Sequence, residues 1–268
     1  MAIFYDTHAH LDYPDYAKDL SEVIARAQAA GITKIISIGT DLESSARAIK
    51  LAERFAGVFA AVGWHPSNAH EAPDDIREPL RKLVKHPKVV AIGEIGLDYH
   101  RLPDEKSGTA GDDARYKQKQ AEIFRQQIEI AVEAGLNCVI HQRDSFDDTL
   151  AQLRPFAGKL RGVFHCFGES VERLHRVLEI GSLVSFTGIV TFKNGQNVRD
   201  TVAATPPGQF MLETDCPYLA PVPYRGKRCE PAYVKEISET VAQVKGCSPE
   251  ELSAATCKTA KEFFPKLK

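Results

Sequence analysis

Eight short segments, rich in aliphatic and aromatic residues, recur along the chain and are separated by longer stretches of mixed polarity. Most of them are apolar at consecutive positions, as is typical of strands that are covered on both faces in a parallel sheet. The segments comprise residues 3–5, 34–38, 58–62, 89–92, 137–140, 162–164, 183–186 and 210–212. This pattern predicts eight parallel strands.

Amphipathic helices are predicted between these strands. Apolar residues follow the i, i+3, i+4, i+7 spacing of one helical face from Leu20 to Ala27, and they recur every three or four residues from Ala121 to Ala131 on a longer helix. Alternation of strands and helices implies right-handed crossovers between parallel strands. We therefore predict an α/β fold, a TIM-type (β/α)8 barrel that forms one domain over residues 1–268; an open doubly wound sheet is the alternative.

Two further segments complete the predicted layout. Residues 101–114 are rich in Gly, Asp, Ser and Lys and lack apolar periodicity, so a long loop is expected after the fourth strand. Residues 248–264 are predicted to form a closing helix, because Ser248, Pro249 and Glu251 occupy the N-cap, N1 and N3 positions of a helix start.

The composition is that of an ordinary globular protein, and it narrows the classes of function. The 268 residues match the size of a typical barrel, and 43% of them are hydrophobic and 26% charged. A formal net charge of −2 provides no overall attraction to nucleic acid, so any phosphate-binding surface is expected to be local.

The cysteines and the apolar segments indicate a cytoplasmic protein without a membrane span. None of the six cysteines forms a C-x-x-C pair, which disfavours a zinc ribbon and a disulfide framework. The first residues have no basic segment before an apolar run, and no apolar run approaches the ~20 residues that span a bilayer. We expect a monomer with no obligatory protein partner.

Histidines and acidic residues stand at the ends of six predicted strands. The carboxyl ends of all strands in a parallel barrel face one mouth, where the active sites of such barrels lie. One histidine in such a place is more often a core or rim residue, but seven side chains at six strand ends weaken that interpretation. These residues are His8 and His10 after the first strand, then His65, Glu94, His141, His165 and Asp215.

The donor types predict a centre with two divalent metal ions, Mg²⁺, Mn²⁺ or Zn²⁺. His8 and His10 are two apart and point to the same side of an extended chain, so both can reach one ion. The set exceeds the needs of one tetrahedral zinc, whereas two ions roughly 3.5–4 Å apart would use it fully. Glu94 lies between the two groups in strand order and is the expected bridge. Cys166 and Cys216 are interpreted as packing residues, because adjacent strand residues face opposite ways.

A cluster of basic residues follows the eighth strand, at residues 224–228. Arg225, Lys227 and Arg228 are either a solvated face or a phosphate site, which this architecture often places in the loops after strands seven and eight. Arg143 and Lys193 are further cations expected at the same mouth. A two-metal centre beside local cations favours hydrolysis of a phosphoester.

Five sequence motifs resemble those of the TatD family of metal-dependent deoxyribonucleases, and they occur in the family's order over essentially the whole chain. Three positions depart from the family's pattern: Gln142, Gly168-Glu169 and Cys229 stand where Ser, Ser-Gly and Asn are usual. The motifs are Asp6-Thr7-His8-Ala9-His10-Leu11-Asp12, Gly63-Trp64-His65-Pro66, Gly93-Glu94-Ile95-Gly96-Leu97-Asp98-Tyr99, His165-Cys166-Phe167 and Glu213-Thr214-Asp215-Cys216-Pro217-Tyr218-Leu219.

The resemblance implies a role for each of the candidate residues. Asp215 would join His8 and His10 on one metal, His141 and His165 would bind the second, and Glu94 would bridge them. His65 resembles the family's histidine on the substrate side. The implied activity is 3′-to-5′ exonuclease action on the ends of single-stranded DNA.

The expected mechanism is attack on phosphorus by a water that two metal ions activate, with Asp215 accepting its proton. Arg143, Arg225 and Lys227 are expected to bind substrate phosphates. The ring of Tyr99 either stacks on a base or packs into the rim of the barrel. Two other functions stay open: an amidohydrolase-type hydrolase of a small molecule, and a non-catalytic metal-binding barrel.

Overall fold

A computed structural model of the protein describes residues 2–100, 102 and 111–268, and these contain the eight strands that the sequence predicts. All neighbouring strands are parallel and follow each other in chain order. The strands are β1 (Phe4–Ala9), β2 (Ile32–Ile38), β3 (Val58–Val62), β4 (Val89–Asp98), β5 (Asn137–Arg143), β6 (Gly162–Phe164), β7 (Leu183–Phe186) and β8 (Phe210–Leu212).

Helices lie between the strands, as the amphipathic pattern predicts. The predicted faces are turned inward, since Val23, Ile24 and Ala27 are buried on the first helix and Phe124 and Ile128 on the fourth. The helices of the described residues are α1 (Leu20–Ala29), α2 (Leu42–Arg54), α3 (Arg77–Leu83), α4 (Asp112–Ala134), α5 (Phe146–Leu153), α6 (Val171–Glu179), α7 (Gln196–Ala204), α8 (Val234–Lys245) and α9 (Pro249–Phe263).

The first and last strands meet, which closes the sheet into a barrel. Ala9 pairs with Cys216, just beyond β8. The His10 amide donates to the Cys216 carbonyl at 2.8 Å, and the Asp215 amide donates to the His8 carbonyl at 2.9 Å. We call this junction between β1 and the segment after β8 the seam. Because the two edges of the sheet are joined here, the open-sheet alternative is wrong.

Apolar side chains fill both faces of the sheet, which is why the strands are apolar at consecutive positions. One buried cluster lies between the strands and the surrounding helices. A second gathers side chains from all eight strands, including Tyr5, Phe59 and Met211, around the end of α9 at Phe263 and Phe264. Helix α9 begins with the predicted capping box between Ser248 and Glu251.

Three strands run further than the apolar pattern predicts. β1, β4 and β5 continue to Ala9, Asp98 and Arg143, whereas the predicted segments end at residues 5, 92 and 140. The polar residues that follow these apolar runs still form the backbone hydrogen bonds of a strand. Their side chains face the mouth of the barrel, so their polarity ends the apolar pattern without ending the strand. His8, Glu94 and His141 therefore stand on strands and not in the loops after them.

The predicted loop at residues 101–114 lies largely outside the described residues. Its last part is not a loop, because α4 begins at Asp112. None of the helices in the described ranges combines the length and the apolar composition that crossing a bilayer requires.

Candidate metal centre

Glu94 occupies the middle of the candidate site, and its two carboxylate oxygens face different groups of donors. Oε2 lies 3.4 Å from His8 Nε2 and 3.7 Å from His10 Nε2. Oε1 lies 2.7 Å from both His141 Nδ1 and His165 Nε2. The side chain of Glu94 is only 3% exposed, so both oxygens are directed at these partners and away from solvent.

The first group of donors, which we call the seam site, consists of His8, His10, Asp215 and Oε2 of Glu94. The two Nε2 atoms are 3.3 Å apart, and they lie 3.6 Å and 3.4 Å from Asp215 Oδ1. A tetrahedral ion with ligands at about 2.1 Å has ligand–ligand distances of about 3.4 Å. The seam site matches that spacing.

The second group, which we call the inner site, consists of His141, His165 and Oε1 of Glu94. The nitrogens of the two histidines are 3.3 Å apart. Nε2 of His141 lies 2.9 Å from Asp98 Oδ2, so it is the nitrogen that carries the proton and donates to this carboxylate. Nδ1 of His141 therefore presents its lone pair to the site, as in carboxylate–histidine–metal arrangements. Nδ1 of His165 lies 3.7 Å from Glu213 Oε1.

The donor chemistry fits cations better than it fits a hydrogen-bonded core. Buried nitrogen and oxygen atoms face one another here with few protons available to form hydrogen bonds between them. In the low dielectric of a protein interior such an arrangement is unfavourable unless positive charge lies between these atoms. Nε2 of His8, Nε2 of His10 and Oδ1 of Asp215 lie 3.3–3.6 Å from one another, longer than the charge-assisted hydrogen bonds of about 2.7–2.9 Å that would otherwise hold them together. Imidazole with carboxylate suits Zn²⁺ or Mn²⁺, and the carboxylates also accept Mg²⁺.

His65 stands beside the inner site but has a different hydrogen-bond pattern. Its Nδ1 accepts from the Ser67 amide at 3.1 Å, so the proton of the neutral ring is on Nε2. That Nε2 lies 3.3 Å from Glu94 Oε1 and 3.2 Å from His141 Nδ1. Burial lowers the pKa of His65, which keeps the ring neutral. A protonated Nε2 is a donor to the site and has no lone pair for a metal.

The charged groups of the centre shift one another's pKa values strongly. Burial opposes ionisation of Glu94, but the facing imidazoles, led by His165, outweigh it and hold the pKa of Glu94 well below its usual range. Burial likewise opposes protonation of His165, yet Glu94 raises the pKa of His165 well above its usual value. Asp98 and Glu94 raise the pKa of His141 against burial in the same way.

Backbone conformation brings these strands unusually close. A Cβ on Gly96 would lie 1.9 Å from the carbonyl oxygen of His141, and the φ of Gly96 is +144°. Glycine at this position lets β4 and β5 approach where Glu94 and His141 meet. Asp215 has a φ of 58°, a left-handed conformation that costs a non-glycine residue of order 1–3 kcal/mol and recurs at functional sites.

A cavity of about 390 Å³ opens above the centre at the carboxyl ends of the strands. Its floor contains His10, Glu94, His165 and Asp215. The other residues that line it are Tyr13, Thr40, His65, Ser67, Asn68, Asp98, His141, Arg143 and Tyr218. A small anionic substrate entering this cavity meets the donor groups at its base and Arg143 on its wall.

The known family that matches this chain is the TatD related DNases, over residues 5–265. The chain belongs to the TatD family. Its relatives include YabD of Bacillus subtilis, which is named an uncharacterized metal-dependent hydrolase. YabD is 38% identical to this chain, and the alignment covers 98% of this chain and 99% of YabD. The 3′-5′ ssDNA/RNA exonuclease TatD of Klebsiella pneumoniae is 32% identical, with 97% of each chain covered.

Solved structures agree with this assignment. The crystal structure of YJJV, a TatD homolog from Escherichia coli, superposes with a TM-score of 0.87 at 26% identity and 98% coverage of both chains. The barrel fold and the family that the sequence motifs predict are thereby confirmed. Members of this family are metal-dependent hydrolases, and the protein is accordingly an enzyme of this kind.

Among the predicted cations of this TatD-family protein, Arg143 lines the cavity. Arg225 and Lys227 do not line it; the guanidinium of Arg225 packs 3.7 Å from the centre of the Phe192 ring. Arg228 is engaged elsewhere, since its guanidinium donates to both carboxylate oxygens of Asp19 at 2.6–2.7 Å. Phosphate contacts of Arg225 and Lys227 stay predictions.

The predicted aromatic residue Tyr99 stands outside the cavity lining. Its hydroxyl donates to Asp148 at 3.0 Å, and Lys117 Nζ lies 4.6 Å from the centre of its ring. The rings that do line the cavity are Tyr13 and Tyr218, which sequence reasoning did not select. Tyr13 follows His10 by three residues and Tyr218 follows Asp215 by three, so proximity to proposed ligands was the available signal.

Two departures from the family pattern contact each other. The side-chain amide of Gln142 donates to Glu169 at 2.8 Å, and Arg173 donates to the same carboxylate at 2.6 Å.

Cys166 and Cys216, the two cysteines next to proposed ligands, belong to none of the candidate metal groups within the described residues. Cys216 is fully buried, and burial raises the pKa of Cys166 to about 12.

Proposed function

We propose that this protein is a 3′-to-5′ exonuclease that hydrolyses the phosphodiester bonds of single-stranded DNA with two divalent metal ions. The observation that carries the proposal is the position of Glu94, whose two oxygens face separate groups of ligand atoms. The name of the Klebsiella pneumoniae relative supports a nucleic-acid substrate. Arg143 on the cavity wall supports an anionic one.

In this proposal His8, His10 and Asp215 hold one ion, and His141 and His165 hold the other, with Glu94 shared. Two divalent ions in such a site polarise phosphoryl oxygens and lower the pKa of water. The chain itself positions the phosphodiester through Arg143, whose guanidinium neutralises the non-bridging oxygens.

Two side chains are proposed to assist the displacement at phosphorus. Asp215 stands at the edge of the cavity with 15% of its side chain exposed, so its carboxylate can accept a proton from the attacking water. The neutral ring of His65 can donate a hydrogen bond from Nε2–H to the oxygen that leaves, which stabilises the negative charge developing there while solvent water supplies the proton. The two groups lie near different oxygens of Glu94, so they can act at the two ends of the displacement at phosphorus.

The first experiment compares Glu94→Ala with Glu172→Ala, an exposed glutamate of α6, on single-stranded DNA labelled at its 5′ end. With Mg²⁺, Mn²⁺ or Zn²⁺ the wild type should give a ladder of progressively shorter labelled strands. Glu94→Ala should reduce kcat on the order of 10³-fold or more, because ligands that act as a unit fail together. Absence of cleavage by the wild type with all three metals would refute the proposal.

A second experiment separates the role of His65 from metal binding. His65→Ala should lower kcat roughly 10²–10³-fold, the range for loss of one hydrogen-bond donor to developing charge, and leave metal content unchanged. His141→Ala should lower metal content as well. If His65→Ala loses metal to the same extent as His141→Ala, its Nε2 is a ligand and the hydrogen-bond-donor role is wrong.

A further inference from the structure

A groove of about 620 Å³ runs beside the catalytic cavity, and Tyr13 lines both. Its floor is apolar, with Leu11 and Tyr16 from the segment after β1 and Leu20 from the start of α1, and its far wall is α2. Because Tyr13 is the common wall, a ligand too long for the cavity would pass over this ring to enter the groove.

The α2 wall of the groove carries three cations on one face. Arg47, Lys50 and Arg54 are spaced by three and four residues, the spacing that aligns side chains along a helix. Arg47 is paired with Asp12 at 3.0 Å. Lys50 and Arg54 form no ion pair with any acid among the described residues, and Arg54 donates only to the neutral hydroxyl of Ser21, at 2.9 Å. Both side chains are exposed.

Tyr13 and its neighbour form an aromatic edge between the two spaces. The Tyr13 ring stacks on the His10 ring, with centroids 4.7 Å apart and planes inclined by 23°. The Tyr218 ring stands edge-on to Tyr13 at 6.3 Å and is 55% exposed. An exposed ring at the border of an anionic-substrate cavity is a surface on which a nucleobase can stack.

We propose that this groove binds the part of a single-stranded polynucleotide that lies beyond the nucleotide being removed, with its phosphates on Lys50 and Arg54. The inference rests on the proposed exonuclease function and extends its substrate site to a second surface. Charge complementarity favours this occupant, since a protein of net charge −2 holds two unpaired cations along one wall. The apolar floor can pack against the faces of sugars and bases, whereas a site made only of charged groups would offer them no such surface.

The test uses Lys50→Ala/Arg54→Ala and, as a matched control, Lys258→Ala/Lys261→Ala. The control removes the same charge from exposed positions of α9. Binding to the metal-loaded protein is measured by fluorescence anisotropy with a phosphorothioate strand of about 12 nucleotides, which keeps its charge and resists cleavage. The groove variant should flatten the slope of log K against log salt by about 1.4, at about 0.7 per lost phosphate contact. The control should keep the wild-type slope.

Steady-state hydrolysis provides the second readout. KM for a natural strand of the same length should rise about tenfold in the groove variant, as lost phosphate contacts predict. KM for a dinucleotide, whose single phosphate is the scissile one and cannot reach Lys50 or Arg54, should change less than twofold. Equal KM increases for both substrates would overturn the inference, because the cations would then act at the cavity itself.

The remaining outcomes separate the groove from the catalytic proposal. If the wild type cleaves strands and the groove variant matches it in slope and KM, the groove inference fails and the exonuclease stands. If the wild type cleaves no strand but binds one through Lys50 and Arg54, the exonuclease fails and the groove stands as a binding surface. If polyglutamate competes as well as the strand at equal charge, the groove selects charge alone and the polynucleotide assignment is overturned.

Discussion

At the scale of single residues, hydrogen bonds decide which ring nitrogen each histidine offers. Asp98 accepts a hydrogen bond from Nε2–H of His141, so Nδ1 of that ring faces the centre with its lone pair. The Ser67 amide donates to Nδ1 of His65, so the proton of that ring is on Nε2 and faces the centre. Sequence reasoning found both histidines but missed Asp98. Its signal was present, because Asp98 lies four residues after Glu94 and alternation on an extended strand puts both on one side.

Replacing Asp98 with alanine should weaken metal binding at the inner site 10–100-fold, the usual loss when the partner of a ligand histidine is removed. Binding at the seam site should change little, because none of its donors contacts Asp98. Two-site calorimetric titration with Mn²⁺ or Zn²⁺ measures both steps. Asp144→Ala is the matched control, since Asp144 forms a 2.9 Å pair with the exposed His100. Equal weakening of both steps would contradict the assignment.

At the scale of elements, the close contact of β4 and β5 explains where sequence prediction succeeded and where it stopped. β3, β6, β7 and β8 have the predicted bounds, because their residues are apolar apart from Gly162 and Ser185. β4 and β5 extend past their apolar segments, since Glu94 and His141 are polar residues that face the mouth. The apolar pattern of a strand stops at its first polar site residue. The pattern therefore cannot show that the backbone hydrogen bonds of the strand continue beyond that residue.

Gly96→Ala should destabilise the fold and separate the two strands. The new Cβ would meet the His141 carbonyl at 1.9 Å, and the positive φ adds strain of about 1–3 kcal/mol. Urea unfolding measures the loss of stability, and metal titration measures the effect on Glu94. The control is Gly158→Ala, which has a φ of +80° with nothing within 4 Å of the new Cβ, so it carries strain without a clash. Equal losses in both variants would show that strand contact is unimportant.

At the scale of the whole molecule, the convergence of distant residues was predictable and the surfaces around them were not. Parallel strands all end at one mouth, so His8 and Asp215 could be placed together although they are far apart in sequence. No such rule predicts which basic residues of the loops and helices lie at the mouth of the barrel. Arg143 lines the cavity, Arg228 pairs with Asp19, and Lys50 borders a neighbouring groove that only the folded chain reveals.

Stabilisation of the protein by added metal should grow as pH rises. The pKa values of His141 and His165 are raised above their ordinary 6.5 in the metal-free fold. Their contribution to metal-free stability is therefore complete below about pH 6.5 and is lost as pH rises through the raised values. Metal needs the deprotonated nitrogens, so the shift in Tm on adding Mn²⁺ or Zn²⁺ should increase from pH 6 to pH 8.

The lowered pKa values of Glu94 and Asp215 keep both carboxylates ionised throughout this range, so they do not change the sign. Glu94→Ala should show little shift in Tm with metal at any of these pH values. A shift that shrinks with rising pH in the wild type would mean that the histidines are not the ligands.

The seam between β1 and the segment after β8 would give a cation bound at the seam site a mechanical role. His8 and His10 stand on one side of this junction and Asp215 on the other, whereas Glu94, His141 and His165 belong to β4, β5 and the end of β6. A cation bound by these residues would link β1 to the segment after β8, like a clasp on a closed band. Local opening of the barrel at this junction and release of that cation would then be coupled. Hydrogen exchange at the His10 and Asp215 amides should slow on metal loading more than exchange at amides between β4 and β5, and equal slowing would argue against the clasp.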